Sequence, residues 1–345
     1  MTEEQETMDG VYTYQAGVGS ACVWVFLTIL GFVDNLLVIW SVILSRKLRT
    51  VTNVFVVNLC VADLWTCLSY PWMVVATVSQ DGWPISETPC IIAAVQFHTG
   101  LGTRLYSLAA IAFNRFAITV TDETYKRLYS PGRVIAMVAA TWAVPCTVTF
   151  LPLIFGVGEL GYDDLHKSCT DKDDHTNGTE YSIIQFVCSF IVPLTIVVIS
   201  YMALYILQKR RLATVDDQPS DAMEMTTREI SSLEITIRDV SEMRSPPDQE
   251  QAITKNLFIV FCTFTLLVSP FFISLFMSTT HLFAVYGLTI VILNSCVNPI
   301  IYAVGHPHFK MVLSKIVRCR YSEIPDPSYC LESMNCRGNT SAEVN

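Results

Sequence analysis

The sequence predicts an all-α membrane protein, a seven-transmembrane-helix bundle followed by a short amphipathic helix beside the membrane. Two observations carry this prediction: the composition is strongly apolar, and the apolar residues lie in long runs. Of the 345 residues, 52% are hydrophobic and only 15% are charged. A soluble domain would alternate core-facing and water-facing positions instead. We therefore expect a lipid bilayer to surround most of the chain.

Seven stretches are long enough to cross a membrane, because about 20 apolar helical residues span ~30 Å of hydrocarbon. They run over approximately 21–44, 53–78, 91–119, 133–155, 181–207, 253–277 and 283–304. The predicted organisation is an N-terminal tail (1–20), a seven-helix domain (21–305), an amphipathic helix (306–319) and a cytoplasmic tail (320–345). The third inner loop, about 209–252, is polar and Ser/Thr-rich, which is typical of disordered or weakly helical segments.

The distribution of Lys and Arg predicts the orientation, because cytoplasmic segments near the spans are enriched in both. With the N-terminus outside, all but four of the 22 fall in segments assigned to the cytoplasm. The exceptions are Arg104, Arg115, Lys167 and Lys172. We expect a multi-pass plasma-membrane protein without a cleavable signal peptide, because its first 20 residues lack a basic segment. The net charge of −9 resides in acidic loops and tails and implies no nucleic-acid partner.

Covalent modification is predicted on the outer side. Of the 12 cysteines, only Cys90 and Cys169 lie in outer loops, so we expect a disulfide between them in that oxidising compartment. Asn177 begins a glycosylation sequon in the second outer loop. The sequon at Asn339 is assigned to the cytoplasm and should stay unmodified.

Apolar residues at helical spacing follow the seventh span, and basic residues lie between them. They are Phe309, Val312, Leu313, Ile316 and Val317. This pattern predicts a helix along the membrane surface, in contact with lipids. Cys319 closes the segment; palmitoylation would add a second anchor, and an unmodified thiol is an equally open alternative.

Each span also carries polar, aromatic or proline residues, and polar residues inside a bilayer mark function because they are costly there. The set comprises Asp34, Asn35, Asn58, Asp63, Asn114, Arg115, Trp142, Pro193, Tyr201, Pro270, Asn298, Pro299 and Tyr302. In this order, with Cys90 ahead of Arg115, the chain resembles the rhodopsin-like (class A) G-protein-coupled receptors over residues 21–319. It is most similar to the melatonin-receptor branch and its invertebrate orphan relatives, through residues 35–42, Asn114-Arg115 and 127–130.

The resemblance implies a receptor, not an enzyme, that passes the signal of a small extracellular ligand to a heterotrimeric G protein. Analogy with the melatonin branch favours the inhibitory type, and arrestin is a further partner; no cofactor or metal is implied. Arg115, Tyr201 and Tyr302 would rearrange to open the G-protein cleft. Pro193 and Pro270 would act as hinges, since each removes a backbone hydrogen bond.

Two departures from the family pattern concern this switch. Neutral Asn114 replaces the acid that restrains the arginine in the family, which leaves Glu250 as the matching acidic partner of Arg115. An exposed pair contributes about 1 kcal/mol or less, so we expect basal signalling. Val268 stands where the family commonly has a ligand-sensing tryptophan, so nearby phenylalanines such as Phe264 must carry the packing change.

Arg104 is the third departure. It lies about 16 Å outward from Arg115, and Asp63 lies about 15 Å from the inner end of the second span, so both charges sit at matching depth. In the family the aspartate, a hydroxyl residue at the Arg104 position, Ser295 and Asn298 hold a sodium ion. We expect the guanidinium to replace sodium and to pair with Asp63. The predicted intramembrane polar core is Asn35, Asp63, Arg104 and Ser295; for Asp34, a partner such as Ser295 and protonation are both open.

The resemblance places a ligand pocket between the third, fifth, sixth and seventh spans. Its predicted lining is Phe97, His98, Leu101, Gln185, Ser189, Phe271, Phe272, Leu288 and Ile292. Phe97 occupies the place of an aminergic carboxylate, Ile292 that of a retinal-binding lysine, and Ser189 that of a melatonin-binding histidine. We therefore expect a small neutral ligand other than a monoamine, retinal or melatonin.

Other membrane functions fit less well. A transporter would show internal repeats with interrupted helices, and a channel would show a polar stripe along a helix, but the sequence has neither. A constitutively active or ligand-less signalling scaffold is the alternative, because Asn114, Val268 and a permanent Arg104–Asp63 pair all permit it.

Overall fold

The structure is a computed structural model that describes residues 3–79, 81–164, 166–172, 175–216, 247–274, 281–329 and 331. Within helices, it describes the backbone alone at 3–13, 122, 211–216, 247–252, 273–274 and 281–284. The helices are α1 (Glu3–Leu44), α2 (Val51–Cys67), α3 (Tyr70–Val78), α4 (Glu87–Ile118), α5 (Asp122–Leu128), α6 (Pro131–Ile154), α7 (Gly178–Phe186), α8 (Val192–Asp216), α9 (Pro247–Ser274), α10 (His281–Gly305) and α11 (Pro307–Val317).

Six helical segments of the described chain are long and apolar enough to cross a membrane. They are Tyr14–Leu44, Val51–Val78, Pro131–Ile154, Gly178–Arg210, Ile253–Phe272 and Val285–Gly305. The other predicted span, α4, has 32 residues and is long enough, but it carries more polar side chains. It packs against α2, α6, α8 and the outer hairpin, so most of these side chains face protein. Polar groups inside a membrane are tolerated when they face the bundle interior.

Several helices extend beyond the apolar stretches from which their boundaries were predicted. α1 begins at Glu3, ahead of the predicted start near 21, and helical backbone extends into both ends of the predicted 209–252 loop. Apolar length reflects membrane thickness, whereas polar helix formers such as Gln208 and Arg210 let a helix continue into water. The second span is broken into α2 and α3, with Pro71 in the first turn of α3.

The fifth span contains a π-helical turn over Val187–Ile191, between α7 and α8. Pro193 follows this turn and has no N–H to offer the carbonyl one turn earlier, which disturbs the regular ladder. Such turns commonly occur at functional sites. Here the turn contains Ser189, one of the predicted pocket residues.

The second outer loop forms an antiparallel hairpin of β1 (Leu160–Asp163) and β2 (Ser168–Asp171), in which Leu160 pairs with Asp171. The Cys90–Cys169 disulfide ties β2 to the outer end of α4, which confirms the predicted pairing. The hairpin therefore lies against α4 at the outer mouth of the bundle. Asn177, at the start of α7, is exposed.

On the inner side, α11 buries Phe309, Val312, Leu313 and Ile316 against the protein, whereas Val317 is 70% exposed. Cys319 has a left-handed φ of 55°. Its N–H donates to the Ile316 carbonyl and that of Arg320 to the Lys315 carbonyl, so the helix ends in a Schellman motif.

The beginning of the C-terminal tail is docked against the protein. The Arg46 N–H donates to the Asp326 carbonyl and the Ser328 N–H to the Leu44 carbonyl, both at 2.8 Å. Ile324 is buried beneath this contact. Residues 321–329 therefore form part of the inner surface, whereas the sequence predicted a separate cytoplasmic tail from residue 320.

Candidate ligand pocket and transmembrane switch

The two charges predicted to share a depth are in direct contact. Arg104 Nη1 on α4 donates to Asp63 Oδ1 on α2 at 2.9 Å and to Ser295 Oγ on α10 at 2.7 Å. Asn298 Nδ2 donates to the other carboxylate oxygen of Asp63 at 3.4 Å. Arg104 and Asp63 are both 0% exposed. This polar core joins three spans by charge-assisted hydrogen bonds, which are stronger than neutral ones.

A second layer surrounds the pair. Asn35 Nδ2 donates to the Ser295 carbonyl at 2.9 Å, and the Tyr70 and Ser295 hydroxyls are 3.3 Å apart. The Phe264 ring of α9 lies 5.7 Å from the Arg104 guanidinium carbon, within cation–π range. Sequence reasoning missed Tyr70, whose place beside Pro71 at the helix break was the available signal. Asn35 Nδ2 donates to Asp34 Oδ1 at 3.4 Å. Ser295, the partner that the sequence suggested for Asp34, makes no hydrogen bond to it.

At the inner end of α4, a hydroxyl connects Asn114 and Arg115. Arg115 Nη2 donates to Thr52 Oγ1, which donates to Asn114 Oδ1 at 2.7 Å. Asn114 Nδ2 also donates to the Tyr125 hydroxyl at 3.3 Å. Asn114 is therefore connected to the Arg115 guanidinium through the Thr52 hydroxyl, without any carboxylate in the network. Glu250, the predicted acidic partner, lies outside the residues whose side chains are described.

The other predicted switch residues lie on separate aromatic contacts. The Tyr201 ring on α8 is 5.0 Å from that of Phe258 on α9, and the fully buried Tyr302 ring is 5.9 Å from that of Phe309 on α11. Pro270 lies inside α9 and Pro299 inside α10. The two tyrosines thus link the fifth span to the sixth, and the seventh to α11.

The predicted pocket residues are divided between two cavities on the outer side. The smaller cavity encloses about 320 Å³, open solvent included, and its lining is His98, Leu101, Asp171, Ser182, Gln185, Ser189, Phe271 and Phe272. The larger encloses about 550 Å³ on the same basis, and its lining includes Trp24, Phe97, His166, Thr170, Phe271 and Leu288. The Phe97 and Phe271 rings meet edge to face, with centroids 5.3 Å apart. Ile292 is fully buried and lines neither cavity.

Polar contacts in the smaller cavity converge on a residue that sequence reasoning missed. Asp171 Oδ2 accepts from Ser182 Oγ at 2.5 Å, Oδ1 accepts from Thr170 Oγ1 at 2.8 Å, and His98 Nε2 lies 3.6 Å from Oδ1. A signal existed, because residues two apart in a strand share a face. Asp171 follows Cys169 by two positions, and the disulfide turns that face toward α4.

Gln185, one of the predicted pocket residues, is held by hydrogen bonds to its neighbours. Its Nε2 donates to the Tyr181 hydroxyl at 2.9 Å, and its Oε1 accepts from Ser189 Oγ at 3.3 Å. Gln185 is 4% exposed, so it presents a fixed amide at the cavity wall. Specificity in such pockets comes from a few fixed polar groups within an apolar lining.

A bundle of membrane-spanning helices with an outer cavity, a buried polar core and an inner arginine defines a seven-helix membrane receptor. Residues 34–302 match the family described as 7 transmembrane receptor (rhodopsin family), and the chain belongs to this family, which is a class of receptors and not of enzymes.

Several relatives carry the melatonin-receptor name. The chain is 35% identical over 214 residues to melatonin receptor type 1B-B of Danio rerio, a match that covers 60% of each chain. It is 28% identical over 312 residues to melatonin receptor type 1A of Ovis aries, covering 86% of this chain and 76% of the relative. It is 26% identical over 343 residues to octopamine receptor beta-2R of Chilo suppressalis, covering 94% and 86%.

The fold itself is shared with squid rhodopsin. The TM-score to its crystal structure is 0.70 at 18% identity, over 90% of this chain and 86% of that one. At this identity the likeness concerns the fold alone.

Proposed function

We propose that this protein is a plasma-membrane receptor, with its N-terminus outside, that transduces a small extracellular ligand to a heterotrimeric G protein of the inhibitory type. One observation carries this proposal: a continuous line of buried groups connects the outer cavity to the polar core. Arrestin and lipids of the inner leaflet are further proposed partners. The inhibitory class rests on the similarity to melatonin receptors.

The line of buried groups runs along one face of α9. Phe264, Val268 and Phe272 are each at most 3% exposed and are spaced four residues apart, so they lie one above the other. Phe272 lines the smaller cavity, whereas Phe264 lies over the guanidinium of Arg104. A ligand that displaces Phe272 can therefore shift α9 against Arg104. Val268, in place of the family's tryptophan, is the link between the two.

The experiment is guanine-nucleotide exchange on purified heterotrimers of the inhibitory and stimulatory types, with wild-type protein and Arg115→Ala in lipid nanodiscs. We expect wild type to accelerate exchange on the inhibitory heterotrimer, and Arg115→Ala to reduce that acceleration at equal folded amount. Absence of exchange on both types, or exchange that Arg115→Ala leaves unchanged, would contradict the proposal.

A ligand-independent signaller is the second candidate, and the Arg104–Asp63 pair favours it because no bound cation is needed to complete the core. Adding tissue extract to the same assay separates the two. A rise in exchange supports the receptor, and a high rate that no extract changes supports the alternative.

A further inference from the structure

We infer that the smaller cavity takes a ligand with a protonated amine and that Asp171 is the residue that receives it. This inference rests on the receptor function proposed above and specifies its ligand class. The sequence prediction of a neutral ligand depended on Phe97 standing where an aminergic carboxylate would be. In the folded protein a carboxylate reaches the cavity from β2 instead of from α4.

The carboxylate of Asp171 lies in the cavity wall with neutral hydrogen-bond partners. It is 6% exposed, and the two side chains that donate to it among the described residues, Ser182 and Thr170, do so through neutral hydroxyls. Hydroxyl donors solvate a carboxylate but leave its charge in place. A buried charge without a counter-ion is costly, and a cation that enters the cavity would relieve that cost.

The basic side chains near Asp171 do not act as its counter-ion. His98 Nε2 is 3.6 Å from Asp171 Oδ1, beyond the ~2.7–2.9 Å of a charge-assisted N–H···O hydrogen bond. Lys172, the adjacent residue, is turned away and pairs with Glu159 at 2.7 Å and Glu87 at 3.3 Å. Among the side chains that the structure describes, no Lys or Arg pairs with Asp171.

The rest of the cavity suits the body of a small aromatic amine. Leu101, Phe271 and Phe272 provide an apolar wall, and aromatic rings also attract cations through their faces. The amide of Gln185 and the hydroxyl of Ser189 lie on the same wall and can bind a ring hydroxyl.

The test compares amines with neutral analogues of the same shape. Tyramine, phenethylamine and tryptamine are each paired with the alcohol that carries hydroxyl in place of the amine. Each probe is added to purified full-length protein in nanodiscs, and the shift in thermal unfolding midpoint gives its affinity without any G protein. The variant is Asp171→Asn, which keeps the acceptor oxygen but removes the charge. The matched control is Glu159→Gln, an exposed carboxylate of the same loop outside the cavity.

We expect at least one amine to raise the midpoint more than its alcohol does. Asp171→Asn should weaken that amine by about 30-fold or more, since a partner of a buried charge pair is lost. Glu159→Gln should bind it like wild type. The inference is overturned if no amine exceeds its alcohol, or if Asp171→Asn and Glu159→Gln bind the amine equally well.

These experiments distinguish a failure of the proposed ligand class from a failure of the proposed G-protein coupling. An amine-specific midpoint shift without nucleotide exchange would support the site and contradict the proposed coupling. Nucleotide exchange without any amine-specific shift would leave the receptor function standing and overturn the ligand class. A variant that loses its unfolding transition is replaced by Ser182→Ala, which removes only one donor to the carboxylate and should change amine affinity by a smaller factor.

Discussion

Arg104 Nη1 lies 2.9 Å from Asp63 Oδ1, and neither side chain has any exposed surface. Ser295 and Asn298 complete the polar core from α10. In the family to which the chain belongs, these positions around the aspartate are those that hold a sodium ion. Here the chain provides its own cation at the centre of the bundle, and this leads to the first two predictions.

Basal G-protein activation by the wild-type protein should not change when sodium replaces a large organic cation at constant ionic strength. The guanidinium already occupies the space next to Asp63 and satisfies its charge. The measurement is nucleotide exchange across a sodium titration. Arg104→Ser, which restores a small hydroxyl, should gain sodium dependence. A strong sodium effect on wild type would contradict this prediction.

Removing one partner of the pair should cost more stability than removing both. Arg104→Met leaves Asp63 as an unpaired buried charge, and such changes cost about 3–5 kcal/mol. Asp63→Leu combined with Arg104→Met should recover most of that loss, because replacing a whole buried pair by apolar residues is often close to neutral. Thermal unfolding in one detergent measures both variants. A double variant no more stable than Arg104→Met would show that the pair is not the cause.

Asn114→Asp should lower basal activity by roughly ten-fold or more, because a hydrogen bond to a charged group contributes about 1.5–3 kcal/mol and Asn114 is buried beside Arg115. The new carboxylate would lie beside Arg115, in the network where the Thr52 hydroxyl now connects Arg115 to the amide of Asn114. Nucleotide exchange without ligand is the measurement. Asn114→Ala serves as the control, because it removes the network without adding charge and should not lower the rate. Equal rates in Asn114→Asp and wild type would refute the restraint.

His306 should make the protein less stable in mild acid. Burial, followed by the positive charges of His308 and Arg115, lowers the pKa of His306 from 6.5 to about 3. Between these values the unfolded chain binds a proton that the folded one does not, so stability is complete above pH 6.5 and falls as pH drops toward 3. The neutral ring also accepts from the Phe309 N–H as the N-cap of α11.

His306→Asn should flatten this pH dependence, because asparagine caps a helix well and does not titrate in this range. Unfolding midpoints at pH 7.5 and 5 in both proteins provide the measurement, and the difference between the two curves removes the contribution of other groups. Parallel curves would assign the acid sensitivity elsewhere.

The docked beginning of the C-terminal tail should slow hydrogen exchange at two amides. The Arg46 and Ser328 N–H groups both donate to backbone carbonyls across the contact, and amides in such bonds exchange only when the contact opens. Ile324→Asp should speed their exchange, because it places a charge where Ile324 is now 3% exposed. Ser322→Asp, on the exposed turn beside it, is the control and should leave exchange slow. Fast exchange at Arg46 in wild type would mean that the tail is not docked.

Many features of the bundle could be predicted because the depth of a residue in the membrane follows from its position along a spanning helix. Residues in a spanning helix rise 1.5 Å each, so Arg104 and Asp63 could be placed at one depth before any packing was known. The Cys90–Cys169 disulfide was predictable because topology excluded the other cysteines from the oxidising side. Helical spacing likewise indicated which side of α11 would be apolar, and Phe309, Val312, Leu313 and Ile316 on that side are buried.

Which side chains on different helices and loops contact each other was decided by the tertiary structure alone. Thr52 connects Arg115 to Asn114 because α2 and α4 present these side chains to each other, and rotation about a helix axis depends on packing. The loop carboxylate Asp171 enters the cavity because the hairpin is tethered over the bundle, a long-range arrangement without a counterpart in local spacing. The sequence by itself determined the membrane spans, the depth of Arg104 and Asp63 within them, and the presence of a positive charge inside the bundle. The fold determined that a carboxylate, Asp171, lines the smaller cavity.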